Sequence, residues 1–373
     1  MVPPLVRLLG AAWFWKARGS TIAPLTSFFY FIGCQQGAES AIKQSLCQPA
    51  GPFRLAFSRP GFVTLKSEFP VPLWSSALPE DPFIRVRGQA LESVEGPMAE
   101  PLVEQILEKY RPLDWTDLHL WQRDIAVPGW HGFEPGRSVL AQLMAERFRE
   151  GLQAAADPRA DRINRVTDWN AKILDVVIIE PSRWWVGAHR AEASADRWPG
   201  GVFPMYEPPS MISRAYLKIA EAIQWSRLPF QAGDPVVEIG SSPGGACQYL
   251  LDTGMSVTGI DPAEMDPRIA DHPQFEHLRA RSLQVKRRFF SKFRWLVCDA
   301  NVAPNYTLDT VEAIVTYPTS QIEGLILTMK LSEWGKAGEW ESQVARIRGW
   351  GYSRVAARQL AFNRREYCIA AQR

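Results

Sequence analysis

One stretch constrains the fold more than any other: Val236-Val237-Glu238-Ile239-Gly240-Ser241-Ser242-Pro243-Gly244-Gly245. A short apolar strand, Pro235–Ile239, runs into a turn too rich in glycine and proline for helix or strand. A helical pattern then continues to about Thr253. Glycine lets backbone approach a ligand closely, and a helix N-terminus presents N–H groups with no partner of their own. A second strand, Ser256–Ile260, delivers Asp261 sixteen residues after Gly245. A carboxylate at that place can accept hydrogen bonds from a ribose diol, as in other doubly wound nucleoside sites. The turn is neither the Gly-x-Gly-x-x-Gly of dinucleotide enzymes nor a P-loop, because no Lys-Ser/Thr follows. Its plainer reading is a structural strand–turn–helix with no ligand.

The pattern around this stretch sets the fold class. A helix at Ser213–Trp225 precedes it. Further strands are predicted at Trp295–Cys298, Ala313–Thr316 and Ile326–Leu331, with helices between them. Such alternation implies an α/β, Rossmann-like domain with a mainly parallel sheet and helices on both faces. The first half has a different texture. Short β-rich runs (Ser27–Ile32, Phe53–Phe57, Gly61–Leu65, Ile84–Arg87) alternate with turns, and helices are expected at Met98–Tyr110 and at Ser138–Ala155, the latter capped by Ser138. Lys172–Glu180 and Trp184–Ala188 read as a hairpin. This region is α+β. The stretch Trp198–Pro209 holds Pro199, Gly200, Gly201, Pro204, Pro208 and Pro209, which marks a linker. The expected organisation is therefore an extension without ordered structure over 1–25, an α+β region over 26–200, a linker over 201–210 and an α/β domain over 211–373.

Composition excludes several classes. Apolar residues make up 46% and charged residues 22% of 373, which is ordinary globular composition rather than that of a disordered chain. No apolar run reaches the roughly eighteen residues of a membrane helix, and Leu8–Trp15, broken by Lys16 and Arg18, makes a poor signal peptide. The five cysteines lack any Cys-x-x-Cys pair and the five histidines lack metal-ligand spacing. We therefore expect reduced thiols, no metal and a cytoplasmic location. The fifteen tryptophans read mostly as core or interface anchors. With a net charge of +2, only the distribution of charge bears on nucleic acid. Seven basic residues (Arg279, Arg281, Lys286, Arg287, Arg288, Lys292, Arg294) fall between Glu276 and Asp299 with no acid among them. The stretch Arg346–Arg373 adds seven arginines and one acid, Glu366. Such clusters suit a phosphate backbone, and Phe289, Phe290 and Phe293 could stack on unpaired bases. The plainer reading makes those phenylalanines core and the cations a solvated face.

Glu-Ile-Gly-Ser-Ser-Pro-Gly-Gly resembles the cofactor loop of FtsJ-like RNA ribose 2′-O-methyltransferases, and the chain is similar in particular to the bacterial ribosomal RNA large-subunit methyltransferase M family. The likeness is clearest at Pro209–Ala222, Val236–Gly245, Trp295–Asp299, Leu327–Leu331 and Ala357–Glu366. In the first 200 residues it rests on Gly37-Ala38-Glu39, Ser58-Arg59-Pro60-Gly61 and the late hairpin. The resemblance implies S-adenosylmethionine as cofactor, held by Gly240, Ser242, Pro243, Gly244, Gly245, Asp261 and Asp299. It also implies a THUMP-like RNA-binding fold in the later part of 26–200. Its Lys-Asp-Lys-Glu tetrad falls on Lys218, Asp299, Lys330 and Glu366. Each has a plainer reading: a solvated helix lysine, a helix cap, a structural strand lysine, and a surface partner of Arg364 or Arg365. One departure stands out. The acid expected to take the adenine amino group is replaced by Arg281, which cannot accept a hydrogen bond. Backbone groups near Ala280, or stacking, are left to hold the base.

The implied reaction is methylation of a ribose 2′-hydroxyl, with 23S ribosomal RNA or a large-subunit precursor as partner and no membrane. In one version Lys330 is the general base, its proton affinity lowered by a desolvating site and the Lys218 charge. In the other, carboxylates beside Lys330 favour its charged form, the tetrad orients the hydroxyl, and water takes the proton. The alternatives in substrate and activity are tRNA or another RNA, and an inactive RNA-binding homologue. Base methylation would want an Asn/Asp-Pro-Pro-aromatic motif where this chain reads Asp299-Ala300-Asn301-Val302. The sequence leaves the oligomeric state open.

Overall fold

The computed structural model describes residues 27–75, 78–205 and 207–373. The extension assigned to residues 1–25 lies outside them. Two seven-stranded sheets organise the chain. The first contains β1 (Ser27–Gly33), β2 (Phe53–Arg59), β3 (Phe62–Val71), β4 (Val86–Glu95), β5 (Asp117–Gln122), β6 (Lys172–Glu180) and β7 (Arg183–Arg190), in the order β2-β3-β1-β4-β7-β6-β5. Only β5 and β6 pair in parallel; β6 and β7 form the predicted hairpin, with Lys172 opposite Arg190. The helices α1 (Glu39–Leu46), α2 (Glu100–Tyr110) and α3 (Val139–Ala154) accompany this sheet. Leu102, Val103 and Ile106 of α2 and Met144, Phe148 and Leu152 of α3 share one core with Leu174, Val176 and Ile178 of β6. Ser138 caps α3 as expected, its Oγ accepting from the Ala141 N–H at 3.1 Å. Glu39 links the two early motifs: its carboxylate accepts from the backbone N–H of both Gly37 and Gly61.

The second sheet is the Rossmann-like one. Its strands are β8 (Pro235–Ile239), β9 (Ser256–Ile260), β10 (Phe275–Leu278), β11 (Trp295–Cys298), β12 (Gly324–Lys330), β13 (Arg354–Arg358) and β14 (Glu366–Gln372), in the order β10-β9-β8-β11-β12-β14-β13. Six strands run in one direction, and β14 alone is reversed, antiparallel to both neighbours. Alternation assigns the faces. Val236, Val297 and Ile326 pack with α4 (Ala215–Ser226) and α5 (Gly245–Asp252), whereas Val237, Leu296, Leu325 and Leu327 pack with α7 (Pro304–Val315) and α8 (Trp340–Gly349). The four-residue α6 (Pro267–Ala270) lies between β9 and β10. The strand predicted at Ala313–Thr316 is instead the end of α7. Pro304 opens that helix, and Thr307, Leu308, Val311, Ile314 and Val315 are buried at helical spacing, so the β-branched run belongs to a helix face.

The two sheets are joined through packed structure. One continuous core runs from Tyr30, Ile32 and Phe83 beside the first sheet to Leu325, Met329 and Tyr367 in the second. Phe83 meets the Trp334 and Tyr367 rings edge-on at 5.7 and 5.8 Å. The Gln359 N–H donates to Pro82 O at 2.7 Å, and Arg358 Nη2 donates to Arg85 O and Gly201 O. The stretch read as a linker thus begins in buried contact rather than as a free spacer. Gly200 and Gly201 are buried, and a Cβ on Gly201 would stand 2.4 Å from Arg85 O.

Candidate active site

The C-terminal ends of β8, β9, β11 and β12 meet at one edge of the second sheet, where doubly wound folds bind ligands. Lys218 comes from α4, Asp299 follows β11, Lys330 ends β12, and Glu366 starts β14 directly opposite Lys330 in the antiparallel ladder. The four side chains close a ring. Lys218 Nζ donates to Asp299 Oδ2 at 2.5 Å and to Glu366 Oε1 at 3.0 Å; Lys330 Nζ donates to Asp299 Oδ1 at 3.3 Å and to Glu366 Oε2 at 2.5 Å. Each ammonium bridges both carboxylates, so two positive and two negative charges cancel. Asn363 Nδ2 also donates to Glu366 at 3.1 Å. Glu366 does not pair with Arg364 or Arg365, whose guanidiniums bond Pro128 O and Ser332 O instead. The side chains are 14% (Lys218), 15% (Asp299), 11% (Glu366) and 25% (Lys330) exposed, so Lys330 is the most open member.

The surroundings set the charges. Burial pushes Lys218 toward its neutral form, but Asp299 and Glu366 outweigh it and hold its pKa above the ordinary lysine value. Burial likewise pushes Glu366 up, and Lys218 and Lys330 outweigh it, lowering the carboxyl to about 2. Glu238, a residue sequence reasoning passed over as part of its strand, lies in the same place. It is 2% exposed, its Oε2 accepts from Cys247 Sγ at 2.8 Å, and burial lifts its pKa to about 8. The available signal was an acid inside an otherwise apolar buried strand.

A cavity of about 320 Å³ opens beside the ring, lined among others by Lys218, Glu238, Gly240, Ser242, Asp299 and Glu366. The glycine loop has the close packing that its sequence implied. Gly240 has φ +82°, and a Cβ there would lie 2.8 Å from Ala300 Cα; a Cβ on Gly245 would lie 2.0 Å from Ser213 Oγ. Gly240, Ser242 and Gly245 line the cavity, Gly244 packs against Ile269, and Pro243 faces solvent. Asp261 stands beside the loop. Its Oδ2 accepts from Ser242 N–H at 3.3 Å and its Oδ1 from Ala263 N–H at 2.8 Å. Arg281 is exposed in the turn after β10.

The basic clusters resolve differently from the expectation. Arg279 pairs with Glu264, Lys292 with Glu276, and Arg294 with Asp234 and Glu323. Arg281, Lys286 and Arg288 are exposed. Phe290 and Phe293 are buried in the core and cannot stack on bases; Phe289 packs partly against it. Most C-terminal arginines are structural rather than a phosphate-binding face. Arg346 pairs with Asp309 and Glu312, Arg358 is buried, and Arg354 and Arg373 donate to Ser226 O and Val315 O.

Comparisons with known proteins bear on this geometry. The FtsJ-like methyltransferase family model matches residues 211–340. Proteins named ribosomal RNA large subunit methyltransferase M are similar to the chain: that of Halorhodospira halophila at 34% identity over 27% of this chain and 30% of its own length, and that of Azotobacter vinelandii at 30% over 45% and 50%. The matched part thus spans half or less of the length of these relatives. Among solved structures, the Methanococcus jannaschii fibrillarin pre-rRNA processing protein is similar at 12% identity and a TM-score of 0.36, over 56% of this chain and 84% of that one. The glycine loop, Lys218, Asp299 and Lys330 all fall inside the residues that match the FtsJ-like methyltransferase family model.

Proposed function

We propose that the protein is an S-adenosylmethionine-dependent RNA methyltransferase that modifies a ribose 2′-hydroxyl, with 23S ribosomal RNA as substrate. The observation that carries the reading is the closed Lys218–Asp299–Lys330–Glu366 ring at the mouth of a cavity shared with the glycine loop. The residues present fit the cofactor. Gly240 and Gly245 leave no room for side chains, the N-terminus of α5 opens onto the loop, and the Asp261 carboxylate beside the loop could accept from a ribose diol, as in other doubly wound folds. Gly240, Ser242, Gly245 and Asp261 would hold it, and it supplies the electrophilic methyl group.

The chain's own residues then have distinct work. Each lysine is held between two carboxylates, an arrangement that orients an ammonium donor toward a hydroxyl oxygen. Lys330, the most exposed member of the ring, positions the nucleophile. Asp299 and Glu366 fix both amines. Positioning of this kind accounts for up to ~7–11 kcal/mol of a barrier in the best-aligned cases. In this reading water carries the proton away, because Lys330 donates to both carboxylates. We assign the first-sheet region to RNA docking and the activity to the cytoplasm. The five free thiols support that location, and among the described residues no helix is long and apolar enough to cross a membrane.

The test is transfer of label from radiolabelled S-adenosylmethionine to unmodified 23S ribosomal RNA, followed by ribose-methylation mapping. A single labelled ribose supports the reading. Label in tRNA moves the substrate, label on a base removes the ribose assignment, and cofactor binding without transfer to any RNA identifies an inactive homologue.

A further inference from the structure

A loop from the first-sheet region packs against two arginines that line the tetrad cavity. Pro128 O accepts from Arg214 Nη1 at 2.7 Å and from Arg364 Nε at 3.0 Å, and both arginines line the tetrad cavity. Gly129 follows with φ +77°. A Cβ there would lie 2.3 Å from Arg214 Nη1 and 2.9 Å from Arg364 Nη2, so only glycine lets the loop come this close. The loop is locked by its own backbone: Gly129 N–H donates to Phe133 O at 2.7 Å, and Phe133 N–H to Trp130 O at 3.0 Å. Between those bonds sits Trp130. It is 56% exposed, although tryptophan is rarely left so open, and its ring lies 4.5 Å from that of His131. His131 holds a left-handed φ of +48°, and Gly132 has φ +75° with open space where a side chain would be. Arg364 is exposed and bonds Pro128 through Nε, so its terminal nitrogens have no protein partner among the described residues.

An open indole on a rigid loop, next in sequence to a glycine that packs on two cavity-lining arginines, matches the chemistry of an unpaired nucleotide. The ring offers a π-face to any base and the guanidinium a fork to a phosphate. We propose that Trp130 is the stacking platform for an unpaired base next to the methylated ribose, and that Arg364 takes the adjoining phosphate. The inference rests on the RNA-methylation reading and adds to it a positioning residue outside the FtsJ-like part of the chain. It also commits the substrate to a single-stranded or bulged target, because paired bases cannot present a face.

The test uses the full chain, transcribed unmodified 23S ribosomal RNA and tritiated S-adenosylmethionine. Trp130→Ala is expected to lower kcat/KM for RNA roughly 5- to 150-fold, the span of one base–aromatic stack. The loss should fall mainly on the KM for RNA and leave the KM for S-adenosylmethionine unchanged. Trp130→Phe should restore most of it, because any aromatic face stacks. Wild-type rates in Trp130→Ala would overturn this inference alone. Equal loss in the Ala and Phe variants would also overturn it and assign the indole to packing on His131. If the wild-type chain labels no RNA, the methylation reading falls first and this inference with it.

Discussion

Two regions of the molecule bury charge, and they do so to opposite ends. In the first sheet, His189 Nδ1 donates to Asp175 Oδ2 at 2.5 Å and its Nε2 to Asp196 O at 2.8 Å, while Trp121 Nε1 donates to Asp175 Oδ1 at 3.2 Å. Both imidazole nitrogens face acceptors, so the ring is a cation. Burial opposes that charge, and Asp175 overcomes it, raising the histidine to about 9. His189 and Asp175 are both wholly buried. At the tetrad the charges are also fully paired, but Lys330 remains 25% exposed and the other three members line a cavity. Paired burial by itself marks a structural site; an ammonium held in place and still reachable marks a chemical one.

The comparison breaks most readily at the sealed pair. Asp175→Ala strands a buried imidazole and the Trp121 N–H, and it should cost about 3–5 kcal/mol by urea denaturation. Transfer per folded molecule should not change. A small stability loss would mean that the pair is not sealed. A smaller effect is expected beside the glycine loop. Asp261→Ala removes a charged acceptor worth about 1.5–3 kcal/mol, and should weaken S-adenosylmethionine in calorimetry without changing the rate at saturation. Wild-type affinity would take Asp261 out of the site.

The smallest effect is on pH dependence, where the two regions carry opposite signs. Glu366 is lowered to about 2 from an ordinary 4.5, so its stabilisation is complete above 4.5 and is lost as pH falls toward 2. His189 is raised to about 9 from 6.5, so its contribution is complete below 6.5 and is lost as pH rises through 9. Denaturation of Asp175→Asn and Glu366→Gln against wild type should show the first difference shrinking in alkali and the second in acid. The same trend in both variants would erase the distinction.

Much of the candidate site's geometry was legible because it depends on local chemistry. A glycine turn after an apolar strand needs close backbone approach, and Gly240 and Gly245 meet it. A lysine ending a buried strand needs partners, and Lys330 has two. What was not legible depends on partners distant in sequence. The arginines of the C-terminal run look like a basic face, yet Arg358 bonds carbonyls of Arg85 and Gly201, and Arg346 reaches back to α7. The Ala313–Thr316 run reads as a strand, and only the burial pattern of Pro304–Val315 shows a helix. Among many core tryptophans, nothing local distinguishes Trp130; its exposure, and the contact of the adjacent Gly129 with Arg214 and Arg364, come from the fold.

The central claim is that the ring carries the chemistry while the glycine loop carries the cofactor. Lys330→Ala tests it most directly, with methyl transfer to 23S ribosomal RNA and S-adenosylmethionine binding measured on the same preparation. Transfer should fall by about 10²–10⁴-fold, with cofactor affinity and the unfolding midpoint close to wild type. Retained transfer, or parallel loss of transfer, cofactor binding and stability, would contradict it and make Lys330 a structural lysine.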